Sequence, residues 1–318
     1  MFFPIGDSPN PPGFRAWVTW LLIVINVAIY LVITLPLSSL TPDPADPALR
    51  GYVEVLLPNL PSGTSLKQLM GALSQYDLFV YAHGFKPATP ALADMFSAMF
   101  LHSGFGHLAG NMLFLWIYGD NVEHRLGRFF YLLAYLGTGV AATLGFAMLS
   151  PGSNVPMIGA SGAISGVLGF YFLFFPRNEV RVAVLFFPFV MRVYNIGARW
   201  VLGAFVVIDN LLPMLFSRGS GVAYGAHLGG FLAGVAAAGV VNLFTTRAAL
   251  RDEPPATDAQ NRARQSLLVG IRLLKHAQPA AAWHHLIQAA KDGDEDTAAR
   301  AKLLMARIRA GDRYDAQG

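Results

Sequence analysis

Residues Phe100–Gly139 read FLHSGFGHLAGNMLFLWIYGDNVEHRLGRFFYLLAYLGTG. Two apolar runs, about 105–121 and from 129 onward, are separated by a short polar turn. Each approaches the roughly 20 apolar residues that a helix needs to cross hydrocarbon. The first run nevertheless carries His107 and Asn111 near its start. Polar side chains inside a span are costly, so each is a functional hypothesis by default. Four residues apart, the two share one helix face and can point to a single spot.

The pattern extends outward from this stretch. Hydrophobic residues make up 54% of the chain and charged residues only 13%, against about 25% charged in a soluble domain. Such a deficit implies a lipid-facing exterior. Further apolar runs cover Ala16 to Pro36, Ser161 to Pro176, Trp200 to Phe216 and Val222 to Phe244, and the run from Phe129 continues to Leu149. The expected fold is therefore an all-α polytopic membrane protein with six transmembrane helices and a long loop at 37–104. VRVAVLFFPFVM (Val180 to Met191) is short and β-branched with Pro188 inside, and reads as a connector at the membrane surface.

Lys and Arg set the orientation. With the N-terminus inside, the inner segments hold nine arginines, among them Arg15, Arg125, Arg128 and Arg177, whereas the outer ones hold Arg50, Lys67, Lys86 and Arg218. That asymmetry places both termini in the cytoplasm. The N-terminal MFFPIGDSPNPPGFR lacks a basic leader and a small-residue cleavage site, so it is expected to be retained. With no cysteine in the chain, disulfides, thiolate nucleophiles and Cys-bound zinc are excluded. A net charge of +4 without a basic run gives no nucleic-acid pattern. The membrane domain is expected to occupy residues 1–250. Residues 251–318 are expected to form a soluble, cytoplasmic helical tail after the polar linker RDEPPATDAQ, with an open role as a docking site for a protein partner. His276, His284 and His285 in that tail read as exposed side chains rather than metal ligands.

Topology aligns the chemistry. In this orientation the second, fourth and sixth spans all enter from outside, so His107, Asn111, Ser161 and His227 lie at similar depth toward the outer leaflet. Ser161, in IGASGAISGVLG, is a poor nucleophile until a base takes its proton, and histidine is the usual base. His227, in AYGAHLGGFLAG, is that candidate. A bland alternative stays open for both segments. The small residues from Gly159 to Gly169, and Ala226, Gly230 and Gly234, are also what closely packed membrane helices use. His107 and Asn111 could equally be a structural hydrogen-bond pair, or could together stabilise negative charge.

The combination of the Phe100–Gly139 stretch, GASG around Ser161 and AHLGGFLAG around His227 resembles the rhomboid family across roughly residues 75–245. The resemblance implies a six-helix core and an intramembrane serine endopeptidase that cuts transmembrane protein substrates in the lipid bilayer. The cytoplasmic tail and the lack of a visible transit peptide lead us to expect the plasma membrane. It implies a Ser–His dyad of Ser161 and His227, an oxyanion site from His107, Asn111 and the Ser161 backbone N–H, and no metal or cofactor. His102 matches a further histidine of the family pattern, and Glu123 with Gly127 matches an architectural turn. Two positions depart from the family. Ser165 stands where some members carry an aromatic residue packed on the histidine. Asp209 and Asn210 stand in the fifth span, where Asp209 reads as a cavity residue, a gate residue or a carboxylate biasing His227. The rival reading is a catalytically inactive relative that binds or escorts membrane clients.

Overall fold

The computed structural model describes residues 2–11, 13–61, 63–186, 190–216, 222–252 and 258–310. They fall into two compact units, Met1–Asn242 and Leu243–Gly318. The first unit begins with strand β1 (Phe2–Ser8) and helix α1 (Trp17–Ser38), which contains one π turn at Tyr30–Thr34. Four short helices follow: α2 (Pro47–Leu56), α3 (Leu66–Ala72), α4 (Gln75–His83) and α5 (Leu92–Ser97). Then come α6 (Phe105–Leu126), α7 (Arg128–Leu149), α8 (Ser161–Phe174), strands β2 (Glu179–Phe186) and β3 (Val190–Gly197), α9 (Ala198–Phe216) and α10 (Tyr224–Asp252).

The chain is mostly helical. Four of the described helices are long and apolar enough to cross a membrane: α1, α7, α9 and the Tyr224–Thr245 part of α10. Helix α6 is 22 residues long but carries Asp120, Glu123 and Arg125 in its last turns, and α8 has only 14 residues. Helix α8 is instead the most enclosed, with ten successive residues from Gly162 to Tyr171 buried. An element wrapped in protein has no hydrocarbon to match, so its length is not set by bilayer thickness.

The all-α expectation needs correction. The connector expected at Val180 to Met191 contains strands: β2 pairs antiparallel with β1 on one side and β3 on the other, in the order β1-β2-β3. Val180, Val182 and Val184 alternate along β2 and join the main apolar core, as period-2 β-branched sequence allows. Pro188 lies outside the described residues, as do Arg218 and the 253–257 part of the predicted linker. The N-terminal segment supplies the third strand, and a buried polar cluster fixes it. Tyr171 Oη and Asn121 Nδ2 donate to the Asp7 carboxylate (2.5 and 2.8 Å), and Asn178 Nδ2 donates to Tyr171 Oη (3.0 Å). Burial holds the Asp7 carboxyl above its ordinary value, and these hydrogen bonds oppose that shift.

The predicted architectural turn has a second task. Gly127 takes φ +77° and its N–H donates to the Glu123 carbonyl, ending α6 one residue before α7 begins. The fully buried Glu123 side chain accepts from Val18 N (3.0 Å), Thr19 N (2.8 Å) and Thr19 Oγ1 (2.8 Å). Helix α1 has no capping side chain of its own, so this carboxylate, 104 residues away, satisfies its orphan amides and sits on its positive dipole end. Glu123→Ala is expected to cost roughly 2–4 kcal/mol by stranding those donors, and Glu123→Gln less, since an oxygen acceptor remains. Thermal unfolding in detergent measures this. An alanine variant as stable as wild type would remove Glu123 from that role.

The second unit contains α11 (Asp258–Lys275), α12 (Pro279–Asp292) and α13 (Glu295–Ala310). They share a small apolar core of Leu267, Leu274, Ala282, Leu286, Ala289 and Ala301. Asp294 caps α13 through Thr297 N (2.8 Å) and pairs with Arg264.

Candidate active site

Two glycine-lined helix faces determine where the site forms. On α8, Gly162 and Gly166 present bare backbone; on α10, Gly230 and Gly234 do the same. A Cβ built on Gly230 would run into the Gly162 carbonyl oxygen, and one on Gly234 into the Gly166 carbonyl oxygen. The helices therefore touch main chain to main chain, the approach that small-residue repeats permit. That contact brings together residues 66 positions apart: Ser161 Oγ and His227 Nε2 are 2.8 Å from each other.

Ser161 is the first residue of α8, so its backbone N–H has no acceptor within the helix. The segment before it is tied down from outside. Gly159 N–H donates to the Ala98 carbonyl (2.8 Å), and Met157 and Phe85 exchange both backbone hydrogen bonds (2.8 and 3.0 Å). The 37–104 stretch, read as a long loop, thus supplies the frame that holds the serine. Gly159 adopts φ +123°, and a Cβ there would lie 2.9 Å from the His107 ring. Both its conformation and its close approach require glycine.

His107 and Asn111 rise from the first turns of α6 into the same space. Ser103 Oγ and His107 Nδ1 are 3.1 Å apart, which leaves Nε2 beside Gly159. Asn111 is 7% exposed, and its Nδ2 is without a hydrogen-bond partner among the described residues. His102 is fully buried behind them, edge-on to the His107 ring at 5.1 Å. His107, Asn111, Gly159, Ser161 and His227 all line one cavity of about 920 Å³, which is otherwise walled mainly by apolar side chains such as Tyr52, Met99 and Phe114.

The fifth-span departures separate sharply. Asp209 is exposed, whereas Asn210 is buried and its Oδ1 lies 2.6 Å from His227 Nδ1. The carboxylate weighed as an influence on His227 is therefore the neighbour of the residue in contact. Ser165 is buried on α8. The aromatic ring missing at that position has a counterpart from another helix, since Phe205 of α9 packs at 6.4 Å from the His227 ring.

A family model described as the Rhomboid domain matches residues 90–243. The chain belongs to the rhomboid family. This rhomboid chain is 32% identical over 147 residues to "Rhomboid protein 1, mitochondrial" of Saccharomyces cerevisiae, covering 45% of the chain and 40% of that relative. It is 33% identical over 169 residues to "Rhomboid-like protein 11, chloroplastic" of Arabidopsis thaliana, covering 50% of the chain and 54% of the relative. It is 30% identical over 155 residues to "Rhomboid-type serine protease 2" of Emericella nidulans, covering 48% of the chain and 27% of the relative. The chain thus spans about half or less of the length of these curated relatives. The matched region contains Ser161, His227, His107, Asn111 and Asn210.

Proposed function

We propose that this rhomboid-family chain is an intramembrane serine endopeptidase acting on transmembrane protein substrates. The observation that carries the reading is the 2.8 Å approach of Ser161 Oγ to His227 Nε2, inside a cavity that also presents the unpartnered Asn111 amide. A serine held against a histidine, beside an amide donor without a partner among the described residues, is an arrangement suited to acyl transfer.

In the proposed sequence, Ser161 Oγ attacks the scissile carbonyl carbon as its proton passes to His227 Nε2. Negative charge develops on the carbonyl oxygen and is received by Asn111 Nδ2, His107 Nε2–H and the Ser161 backbone N–H. For His107 to donate there, Ser103 Oγ–H donates to its Nδ1. His227 then returns the proton to the leaving amine. Water, deprotonated by His227, opens the acyl-enzyme by the reverse route. No metal or cofactor takes part. Helices α6 and α8 complete six spans, with the site toward the outer leaflet of the plasma membrane and both termini in the cytoplasm. The Lys/Arg asymmetry supports that orientation. Residues 251–318 form the soluble tail, open to a protein partner.

The deciding experiment is incubation of purified protein with a single-span reporter substrate in proteoliposomes, with product masses read by mass spectrometry. Cleavage within or beside the span supports the reading. Binding of the reporter without cleavage, across several substrates, replaces it with client binding. Asn111→Ala is expected to lower kcat by about 10²–10³-fold with KM nearly unchanged, because the amide contacts charge that exists only in the transition state. An unchanged kcat would return Asn111 to a structural role.

A further inference from the structure

We propose that Asn210 is the positioning residue for His227, the neutral third member of a Ser161–His227–Asn210 chain. The inference rests on the dyad reading above and adds what fixes the base in its working form. The amide of Asn210 is 1% exposed and committed at both ends. Its Nδ2 donates to the Phe205 carbonyl at 2.8 Å, and its Oδ1 lies 2.6 Å from His227 Nδ1. Reversing the amide would set its oxygen against the Phe205 carbonyl oxygen, acceptor to acceptor, inside the protein. The orientation is therefore determined by its surroundings. With an acceptor facing it, Nδ1 must carry the ring proton. Nε2 is then a bare lone pair directed at Ser161 Oγ, 2.8 Å away. A neutral imidazole has one donor and one acceptor nitrogen, so the partner of one decides the role of the other.

The backbone explains why Asn210 and not Asp209 meets the ring. Val207–Leu211 forms a π turn within α9, and such one-turn widenings re-aim side chains and recur at functional sites. Here Asp209 stays exposed while Asn210 turns inward. Phe205, one turn earlier, supplies both the carbonyl that holds the amide and a ring against the imidazole. One short segment thus meets His227 with an acceptor at its edge and a tilted ring 6.4 Å away, centroid to centroid. A carboxylate at position 210 would offer the same acceptor but add a buried charge without a cation to meet it. The amide orients without that burden, and serine or cysteine catalysis with a His–Asn pair is chemically sound. Asn210 does not line the cavity, so it acts only through His227.

The test compares Asn210→Leu, Asn210→Ala and Asn210→Asp in the full chain, with two readouts. The first is kcat and KM on the single-span reporter. Asn210→Leu and Asn210→Ala are expected to lose about 10²-fold in kcat, near the low end of what a general base contributes, with KM within about threefold. Asn210→Asp, which keeps the acceptor, is expected to recover most of that loss. The second is ¹⁵N NMR of histidine-labelled protein, with the His227 signals identified by their loss in His227→Gln. Wild type and Asn210→Asp should show a protonated Nδ1, and Asn210→Leu or Asn210→Ala should not. If either apolar variant is too unstable to purify, the other suffices. Wild-type kcat in a folded apolar variant, or an unaltered His227 tautomer in it, overturns the proposal. Wild type that never cleaves, yet shows an Asn210-dependent tautomer, overturns the dyad reading and leaves the orienting role of Asn210 supported.

Discussion

Ser161→Ala is expected to lower the kcat for reporter cleavage by on the order of 10⁴-fold or more, and His227→Ala by nearly as much. In the proposed mechanism the two groups act as one unit, since the serine hydroxyl is a weak nucleophile until Nε2, 2.8 Å away, can take its proton. Removing either removes the unit, so the double variant should be no worse than the single ones. A loss of that size corresponds to about 5 kcal/mol of transition-state stabilisation at 1.36 kcal/mol per tenfold change. Ser161→Ala has no structural reason to unfold the protein, whereas His227→Ala leaves the buried Asn210 Oδ1 without its partner and is expected to melt somewhat earlier while staying folded. Alanine is a good residue for the first turn of α8 and keeps its surface small, and Ala163 and Ala160 already flank the position. The measurement is turnover in proteoliposomes, with thermal unfolding recorded in parallel. If Ser161→Ala retained more than about 1% of wild-type turnover while folded, the nucleophile would have to be sought elsewhere in the cavity. Comparable loss in both variants while folded would instead attach the chemistry to the pair.

Which parts of this were legible in the sequence follows from the range of the interactions involved. Long apolar runs signal α1, α7, α9 and α10 locally, since hydropathy needs no knowledge of neighbours. Helices α3 and α4, inside the stretch expected to be a loop, are equally legible. Ser65 with Gln68, and Ser74 with Asp77, form capping boxes, and that serine-to-acceptor spacing is a local helix-start signature. Only part of the sheet is local. The alternating valines of β2 are visibly β-branched and β3 follows directly as its antiparallel partner, but the strand on the other side begins at Phe2 and contains Pro4, far from β2 in sequence. Ser161 and His227 were readable because each sits in a small-residue segment where a polar side chain stands out. Asn210 was visible as one of two polar neighbours. Choosing between it and Asp209 depends on a π turn, which changes the facing of a helix by a backbone adjustment that side-chain periodicity does not encode. Phe205 carried no signal at all, since one aromatic residue in an apolar span looks like any other.

The largest structural effect is expected at Gly234. Replacing it with leucine should cost at least about 3 kcal/mol and abolish reporter cleavage, because the new side chain meets backbone rather than a movable group. Its Cβ would fall on the Gly166 carbonyl oxygen, with the Gly166 carbonyl carbon 2.8 Å and Cα 3.0 Å away. Neither α8 nor α10 can yield locally, because Gly230 and Gly162 form the same contact one turn nearer the site. Separating the helices at Gly234 would pull at that contact, and it is the one that places His227 against Ser161. Gly239 on the same helix provides the control. A Cβ there would meet only the Leu173 side chain, at 3.9 Å, which is ordinary contact. Gly239→Ala is expected to be neutral, or mildly stabilising through the roughly 1 kcal/mol by which alanine exceeds glycine in a helix. Thermal unfolding in detergent and labelling of Ser161 by a fluorophosphonate report on packing and site separately. If Gly234→Leu melted and labelled like wild type, α8 and α10 would not approach main chain to main chain, and the distance from Ser161 to His227 would lose its structural cause. If it melted early while Gly239→Ala did not, the glycine faces would be what brings the two reacting groups together.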